Sequence, residues 1–468
     1  MDRRNFIKGA TLLTGAMCLD IPVFSKTVKR LGKEKLRFGV LSDIHLTERD
    51  STEMFVKALT IFRDRGVDAV VVAGDLADRG AGFQLHYMAD AWYSVFPNDT
   101  APDGRHVEKV FIYGNHDIRS WKSKAAKKLP YYNEIMADRI LGDVDRRAEV
   151  WEDCFHEKWA PIYMKEIKGY KFIAAHFEND NNVPGLELFM DHADLPSDEP
   201  FFYIQHPHPR GTCLAPWVWG QDDGTTTRIL SRYPNAVALS GHSHSSLTDE
   251  RTVWEGEFIS INTASLKYII PFGGRENSKV CGSKEKVPAQ MPFIEGKDGH
   301  QGQIITVYDN TMTVEKWDVG NGLPLADNWV IPLRDKSFSW KERAAKAVAP
   351  EFSKDAGVSV TTGHGEDRYG VEQDQVTVHF PTVKGGKKAA RAYDYEVQLE
   401  IEDIDTQKAV LTKHVYSPGY YLAPEKDADE TVCVFGVSEL PEGKRYRFAV
   451  RPCESFGKKG AAIYSDWF

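Results

Sequence analysis

Aspartate, asparagine and histidine recur in five short segments of this chain: Ser42-Asp43-Ile44-His45, Gly74-Asp75, Gly114-Asn115-His116-Asp117, Gln205-His206 and Gly241-His242-Ser243-His244. Each follows a short apolar run that reads as a strand, and loops at the carboxyl ends of such strands are where α/β sheets build their sites. Singly the segments say little. A lone His at a strand end is usually a hydrogen-bonded surface or core residue, and Gly-Asp is usually a turn. Together they offer oxygen and nitrogen donors without thiolate, a set that suits manganese, iron or zinc and disfavours copper(I) or an iron–sulfur cluster. If residues 242–244 are extended, both imidazoles point the same way and Ser243 turns aside. His206 directly follows the apolar run 201–205, and His208, between Pro207 and Pro209, is the alternative donor.

In order and spacing, Asp-x-His, Gly-Asp, Gly-Asn-His-Asp, His and Gly-His-x-His resemble the calcineurin-like metallophosphoesterases, over residues 35–333. The resemblance implies a layered two-sheet α/β core, an αββα sandwich, that hydrolyses phosphomonoesters or phosphodiesters with two divalent transition metal ions. It implies that Asp43, His45, Asp75 and His244 hold one ion, that Asp75, Asn115, His206 and His242 hold the other, and that Asp75 bridges them. A carboxylate has two oxygens for that task. Paired cations neutralise an anionic ester and acidify the bridging water, so the expected nucleophile is a hydroxide between them. His116 is then free to protonate the leaving oxygen, with Asp117 or a nearby carboxylate orienting its ring.

The elements that must carry these residues are legible as patterns. Residues 36–41, 68–73, 110–113, 171–175, 201–205 and 236–240 read as strands, as do 303–308 and 311–317 around an Asp309-Asn310 turn. Residues 54–65 read as a helix with Met54, Phe55, Ala58, Leu59 and Phe62 on one face and Gly66 at its C-terminal cap. Insertions at 81–106 and 119–169 carry Tyr87, Trp92, Tyr93, Trp121, Tyr131 and Tyr132. They are candidates to cap the site, although aromatics at helical spacing more often pack a core. Residues 334–348 read as a linker or short helix. From 349 to 468 period-two patterns dominate, as in 376–380 and 393–399, and imply an all-β sandwich. The run 440–446 resembles the tyrosine corner of fibronectin type III domains, with Phe380 where those domains usually carry Trp.

Composition bounds the rest. The 468 residues suit two or three domains, and 59 Lys and Arg against 68 Asp and Glu, a formal charge of −9, argue against a stable nucleic-acid partner. No apolar run is long enough to span a membrane. Residues 1–34 resemble a twin-arginine export signal with its linker, from Arg3-Arg4 through the apolar run 9–17, so a periplasmic location is expected; lipid attachment at Cys18 fits poorly. Six scattered Cys exclude a disulfide scaffold or thiolate metal site, and Cys433 and Cys453 are the pair that an oxidising compartment would join. Export favours a small-molecule or lipid-linked phosphoester over cytoplasmic cyclic nucleotides as substrate. Trp217 and Trp219, in a Gly- and Pro-rich loop, and Arg210, close after His206, are candidate substrate contacts beside His208. The competing reading is a degenerate metallophosphoesterase scaffold that binds a glycan or protein partner through the sandwich.

Overall fold

The computed structural model describes residues 31–143, 145–178, 183–213, 222–270, 296–367, 370–385, 390–402 and 409–468. Two six-stranded sheets form the first part of the molecule. The first runs in the order Leu323–Pro332, Thr311–Asp318, Gln301–Val307, Leu36–Leu41, Ala69–Val72, Glu108–Phe111. The second runs Ile162–Ile167, Tyr170–Ala175, Phe201–Ile204, Ala236–Ser240, Ile259–Asn262, Val253–Glu255. Strands 36–41, 69–72 and 108–111 are mutually parallel, as are 170–175, 201–204, 236–240 and 259–262.

Both faces of each sheet are covered, so the central strands read as continuous apolar runs such as Ala69-Val70-Val71-Val72. Phe38, Val40, Val71 and Val110 of the first sheet meet Phe172, Phe202, Val237 and Leu239 of the second in one core. Phe38 sets its ring edge-on to Phe172 and Phe202, at 5.2 and 4.8 Å between centroids, where aromatic quadrupoles favour contact. On the outer face of the first sheet, Leu41, Val70, Val72 and Phe111 pack against Phe55, Leu59 and Phe62 of helix Glu53–Asp64 and Leu85, Met88 and Trp92 of helix Gly82–Val95. On the outer face of the second, Ile173, Phe201 and Tyr203 pack against helices Leu186–His192 and Thr225–Leu230. Helix, sheet, sheet, helix is the resulting order of layers. The strand read at 110–113 occupies Glu108–Phe111, and Ile112 and Tyr113 continue beyond it as buried loop.

The insertions are packing elements in large part. Trp92 is fully buried between Phe96 and Phe111, and Tyr93 donates its hydroxyl to the Phe155 carbonyl. These aromatics cover the sheet and do not cap the site; burying a ring of 150–250 Å² outweighs leaving it at a wet entrance.

After helix Trp340–Lys346, whose N-terminus is capped by Ser339, the chain is all β. Ser359–Glu366, Glu372–Pro381 and Glu430–Gly436 form one sheet; Ala409–Tyr416, Asp394–Ile401, Tyr446–Cys453 and Ile463–Tyr464 form another. Val378, Phe380, Tyr395, Val397, Phe435, Phe448 and Val450 fill the space between them. Cys433 pairs in register with Val378 of one sheet and Cys453 with Asp394 of the other, and both are buried and outside any disulfide. The disulfide open to this pair is not formed in this structure. Tyr446 rests its ring on Phe468. Among the described residues no helix is long and apolar enough to cross a membrane. Residues 1–30, with Cys18, lie outside the described residues, as do Trp217 and Trp219.

Candidate metal centre

Parallel pairing puts the carboxyl ends of three strands of the first sheet on one edge, so the loops at 42–46, 74–76 and 114–117 emerge together. The second sheet does the same for His176, His206, residues 241–244 and residues 263–268. Backbone bonds then lock loop to loop: Asp43 N–H donates to Gly74 O and His45 N–H to Asp75 O, both at 3.0 Å. The Asp43 carboxylate accepts from His242 N–H at 2.9 Å and from Ser42 Oγ at 2.6 Å. Asp75 Oδ1 accepts from His116 N–H at 2.8 Å.

The approach between loops is so close that two glycines are obligatory. A methyl group at Gly241 would overlap Ser42 Oγ and the Asp43 carboxylate, and one at Gly114 would overlap Asp75. Strain is concentrated here too. Asp43, His45, Asp75, His242 and His244 all have left-handed backbone, with φ between 48° and 67°. Such conformations cost of order 1 kcal/mol each and persist only where surroundings over-determine them.

Three groups of donors result among the described residues, one of them His45, Asp78 and His116 at the rim. Asp43, His45 and His244 converge in the second and Asp75, His206 and His242 in the third. His45 Nε2 lies 3.3 Å from His244 Nε2, and His244 Nε2 lies 3.0 Å from Asp43 Oδ1. His206 Nε2 stands 3.1 Å from Asp75 Oδ2 and 3.0 Å from Asn115 Oδ1. Asp75 Oδ2 is also 3.7 Å from His45 Nε2, so this carboxylate faces both the second and the third group. Rear contacts fix the ring orientations: His206 Nδ1 meets Ala73 O at 2.8 Å and His244 Nδ1 meets Tyr268 O at 3.0 Å. Carbonyls at Nδ1 make that nitrogen the N–H and leave Nε2 as the inward lone pair.

The charges point the same way. Burial opposes ionisation of Asp43 and Asp75, yet His244 beside one and His206 beside the other hold both carboxyls well below their usual range. Burial likewise opposes charge on His45 and His206, but Asp43 and Asp78 raise the first to about 10 and Asp75 raises the second to about 9. The positive charge that keeps these carboxylates ionised comes from the histidines themselves, and a cation bound among them would supply it in their place. Asp43 Oδ1 is moreover buried without a well-directed hydrogen-bond donor. Mixed oxygen and nitrogen donors, inward lone pairs and an unsatisfied carboxylate oxygen fit divalent transition metal ions.

The other expected site residues divide. His116 stands at the rim, its ring edge-on to His45 at 4.4 Å, with Nδ1 3.0 Å from the Asp78 carbonyl and 3.7 Å from Asp78 Oδ1. Asp117 does not orient that ring. It is the third residue of helix Asn115–Arg119, and its carboxylate turns back to accept from the N–H groups of Leu76, Ala77 and Gly114 at 3.1, 2.6 and 2.6 Å. Asp78, absent from the expected set, takes the place beside His116 and also reaches His45 Nδ1 at 3.2 Å. A signal was there: Asp75-Leu76-Ala77-Asp78 repeats a carboxylate three residues on. His208 is buried behind the centre, with Nε2 3.0 Å from Ser243 Oγ. Arg210 is exposed, and its backbone N–H donates to Asp222. Neither joins the donor groups. Residues 242–244 are not extended either; alternating left-handed backbone sends His242 to one group and His244 to the other, while Ser243 does turn aside, toward Asn262.

Two stacked mixed sheets with Asp, Asn and His at their shared carboxyl edge define an α/β domain whose clustered donors could hold metal ions. Residues 36–246 match the model of the calcineurin-like phosphoesterase family. Among solved structures the chain is similar to GAP50, the anchor in the inner membrane complex of Plasmodium, at 14% identity and a TM-score of 0.38, covering 66% of this chain and 91% of that one. It is similar to purple acid phosphatase PPD1 from yellow lupin (Lupinus luteus) seeds at 14% identity and a TM-score of 0.40, covering 65% and 56%. A conserved Streptococcus pneumoniae protein described as a predicted phosphoesterase aligns at 12% identity and a TM-score of 0.27, covering 64% and 99%. No curated protein matches the chain.

Proposed function

We propose that this chain is a phosphoester hydrolase dependent on two divalent transition metal ions, one held by Asp43, His45, Asp75 and His244 and the other by Asp75, Asn115, His206 and His242. The observation that carries it is Asp75 Oδ2, 3.7 Å from His45 in one donor group and 3.1 Å from His206 in the next. When bound, such ions neutralise the ester oxygens and lower the pKa of bound water.

The chain's own residues do the rest. Asn115, on the first turn of its helix, sets its Oδ1 beside His206 Nε2, where both would donate to the same ion. His116 is the general acid: with Nδ1 fixed on the Asp78 carbonyl, its ring presents Nε2–H to the leaving oxygen. Asp78 itself stays ionised; burial opposes this, but hydrogen bonds from His116 and His45 prevail and hold its carboxyl far below the usual range. The strained, interlocked loops keep these groups in place before substrate arrives, so little reorganisation is left for the reaction.

The C-terminal part is read as a fibronectin type III-like sandwich, supported by its seven strands in sheets of three and four, with a glycan or protein as its partner. Export to the periplasm rests on residues 1–34. The decisive experiment is metal analysis of the purified protein joined to a screen of phosphomonoesters, linear diesters and cyclic nucleotides. Two ions per chain and turnover of one class are expected; a protein that takes up no transition metal and cleaves none overturns the reading.

A further inference from the structure

One surface stands apart from the acidic remainder. Between Asp117 and Glu134 the chain has no acidic residue and carries Arg119, Lys122, Lys124, Lys127 and Lys128, in a protein of net charge −9. Lys122, Lys124, Lys127 and Lys128 are exposed. Lys124, Lys127 and Lys128 form no ion pair among the described residues. The neighbouring arginines, by contrast, are neutralised: Arg139 by Asp143, Arg146 by Asp138 and Arg147 by Asp145 and Glu178.

The start of this loop is tied to the candidate metal centre. It leaves at Ser120, whose hydroxyl donates to the same Asp78 carbonyl that holds His116. It returns at Tyr131, whose carbonyl accepts from Glu134 and Ile135 N–H as the next helix begins. In between, Ala126 is fully buried and anchors the loop, and the Trp121 ring lies between Lys122 and Arg139 at 5.2 and 5.6 Å. The lysines are thus carried on and between the short helical turns that directly follow the His116 helix, the first of them pinned to the carbonyl that holds His116. An anionic ester approaches a chain of net charge −9 against repulsion, and a fixed cationic rim reverses that field locally.

We propose that the rim formed by Lys122, Lys124, Lys127 and Lys128 recognises the leaving group, and that the substrate is a soluble phosphoester bearing further anionic groups beyond the scissile phosphate. This rests on the hydrolase reading above. The test uses a matched pair: 1-naphthyl phosphate and its ring-disulfonated analogue, as monoesters or methyl diesters according to the class turned over. At low salt the full chain should favour the disulfonated ester in kcat/KM by roughly tenfold, fading as salt rises from about 0.05 to 0.5 M.

In the triple variant K124Q/K127Q/K128Q, with an unchanged melting midpoint, the ratio should collapse toward that set by leaving-group electronics alone. Comparing the ratio in the two proteins cancels that electronic difference. A ratio unchanged by the variant overturns the proposal. Binding of disulfonated naphthol, followed by its own fluorescence, separates the two readings. If neither ester is cleaved but the naphthol binds and the variant loses it, the rim stands and the hydrolase falls; no binding to the wild type sinks the rim. Lysine-dependent capture by vesicles of anionic phospholipid, without any ester preference, replaces the soluble substrate with a membrane surface and also overturns it.

Discussion

At the scale of single residues, His116 and Asp75 separate chemistry from metal binding. Asp75→Ala removes the carboxylate that faces both donor groups, so metal content by mass spectrometry and turnover should fall together to background. His116→Gln leaves both groups intact and should keep the metal. It should slow esters of poorly acidic alcohols by 10²–10⁴-fold, while nitrophenyl esters, which need little proton assistance, lose far less. Equal loss for both would remove His116 from the role of acid.

His176 makes a different prediction. Its ring is enclosed by Tyr113, Trp151, Trp159 and Tyr163, and its Nδ1 accepts from Tyr113 N–H. Burial, with Arg147 adding to it, depresses the imidazole to about 3. Below pH 6.5 the unfolded chain binds this proton and the folded chain does not, so stability is lost as pH falls from about 6.5 to about 3, at about 1.4 kcal/mol per unit for this one group. Urea midpoints against pH should show a shallower acid limb in His176→Phe than in the wild type. Most of the donor set was legible as residue types because metal ligation restricts the choice to few side chains. The partner of His116 was not: Asp117 is its neighbour in sequence, but three residues into a helix a carboxylate is directed at the N-terminal N–H groups, and Asp78 arrives from another strand.

At the scale of elements, the His242–His244 turn depends on contacts behind it. Ile270 N–H donates to His244 O, and Gln301 accepts from Leu247 N–H at 2.9 Å while donating to Ser246 Oγ at 2.9 Å and Tyr421 O at 2.7 Å. Gln301→Leu leaves these buried partners unpaired and should cost about 2 kcal/mol in chemical unfolding. Metal titration should show one of the two ions weakened more than the other; equal weakening would mean that Gln301 acts on the fold alone. The strands flanking the motifs were readable from their apolar runs, since a buried parallel strand has few other forms. What the insertions cover was not. A tryptophan at helical spacing carries no mark of which sheet face will receive it, and Trp92 went to the outer core.

At the scale of the whole molecule, the β-sandwich is fastened to the turn that follows His244. Arg251, almost wholly buried and paired with Asp249 at 2.8 Å, lies 4.8 Å from the Tyr393 ring centroid. Tyr393, Tyr416 and Tyr420 belong to the same core as the facing sheets. Ala423 N–H donates to Asp318, and Arg343 of the connecting helix pairs with Glu250 at 3.0 Å. The change of texture near residue 349 was legible because alternation replaces mixed patterns there. The joint was not, since it unites residues some 140 positions apart in sequence that share no motif. Calorimetry should record one cooperative transition for both parts, and Arg251→Ala, which strands Asp249 as an unpaired buried charge, should lower stability by about 3 kcal/mol. Two well-separated transitions would show the sandwich to be independent.

The absent side chains at Gly114 and Gly241 bear on how the molecule comes into being. Each leaves a hollow the size of a methyl, filled by a carboxylate that belongs to a different crossover, so no crossover has a finished surface to rest on until the others have arrived. Catalytic competence should therefore emerge late during refolding, in a single step, after both sheets have already gained their strands.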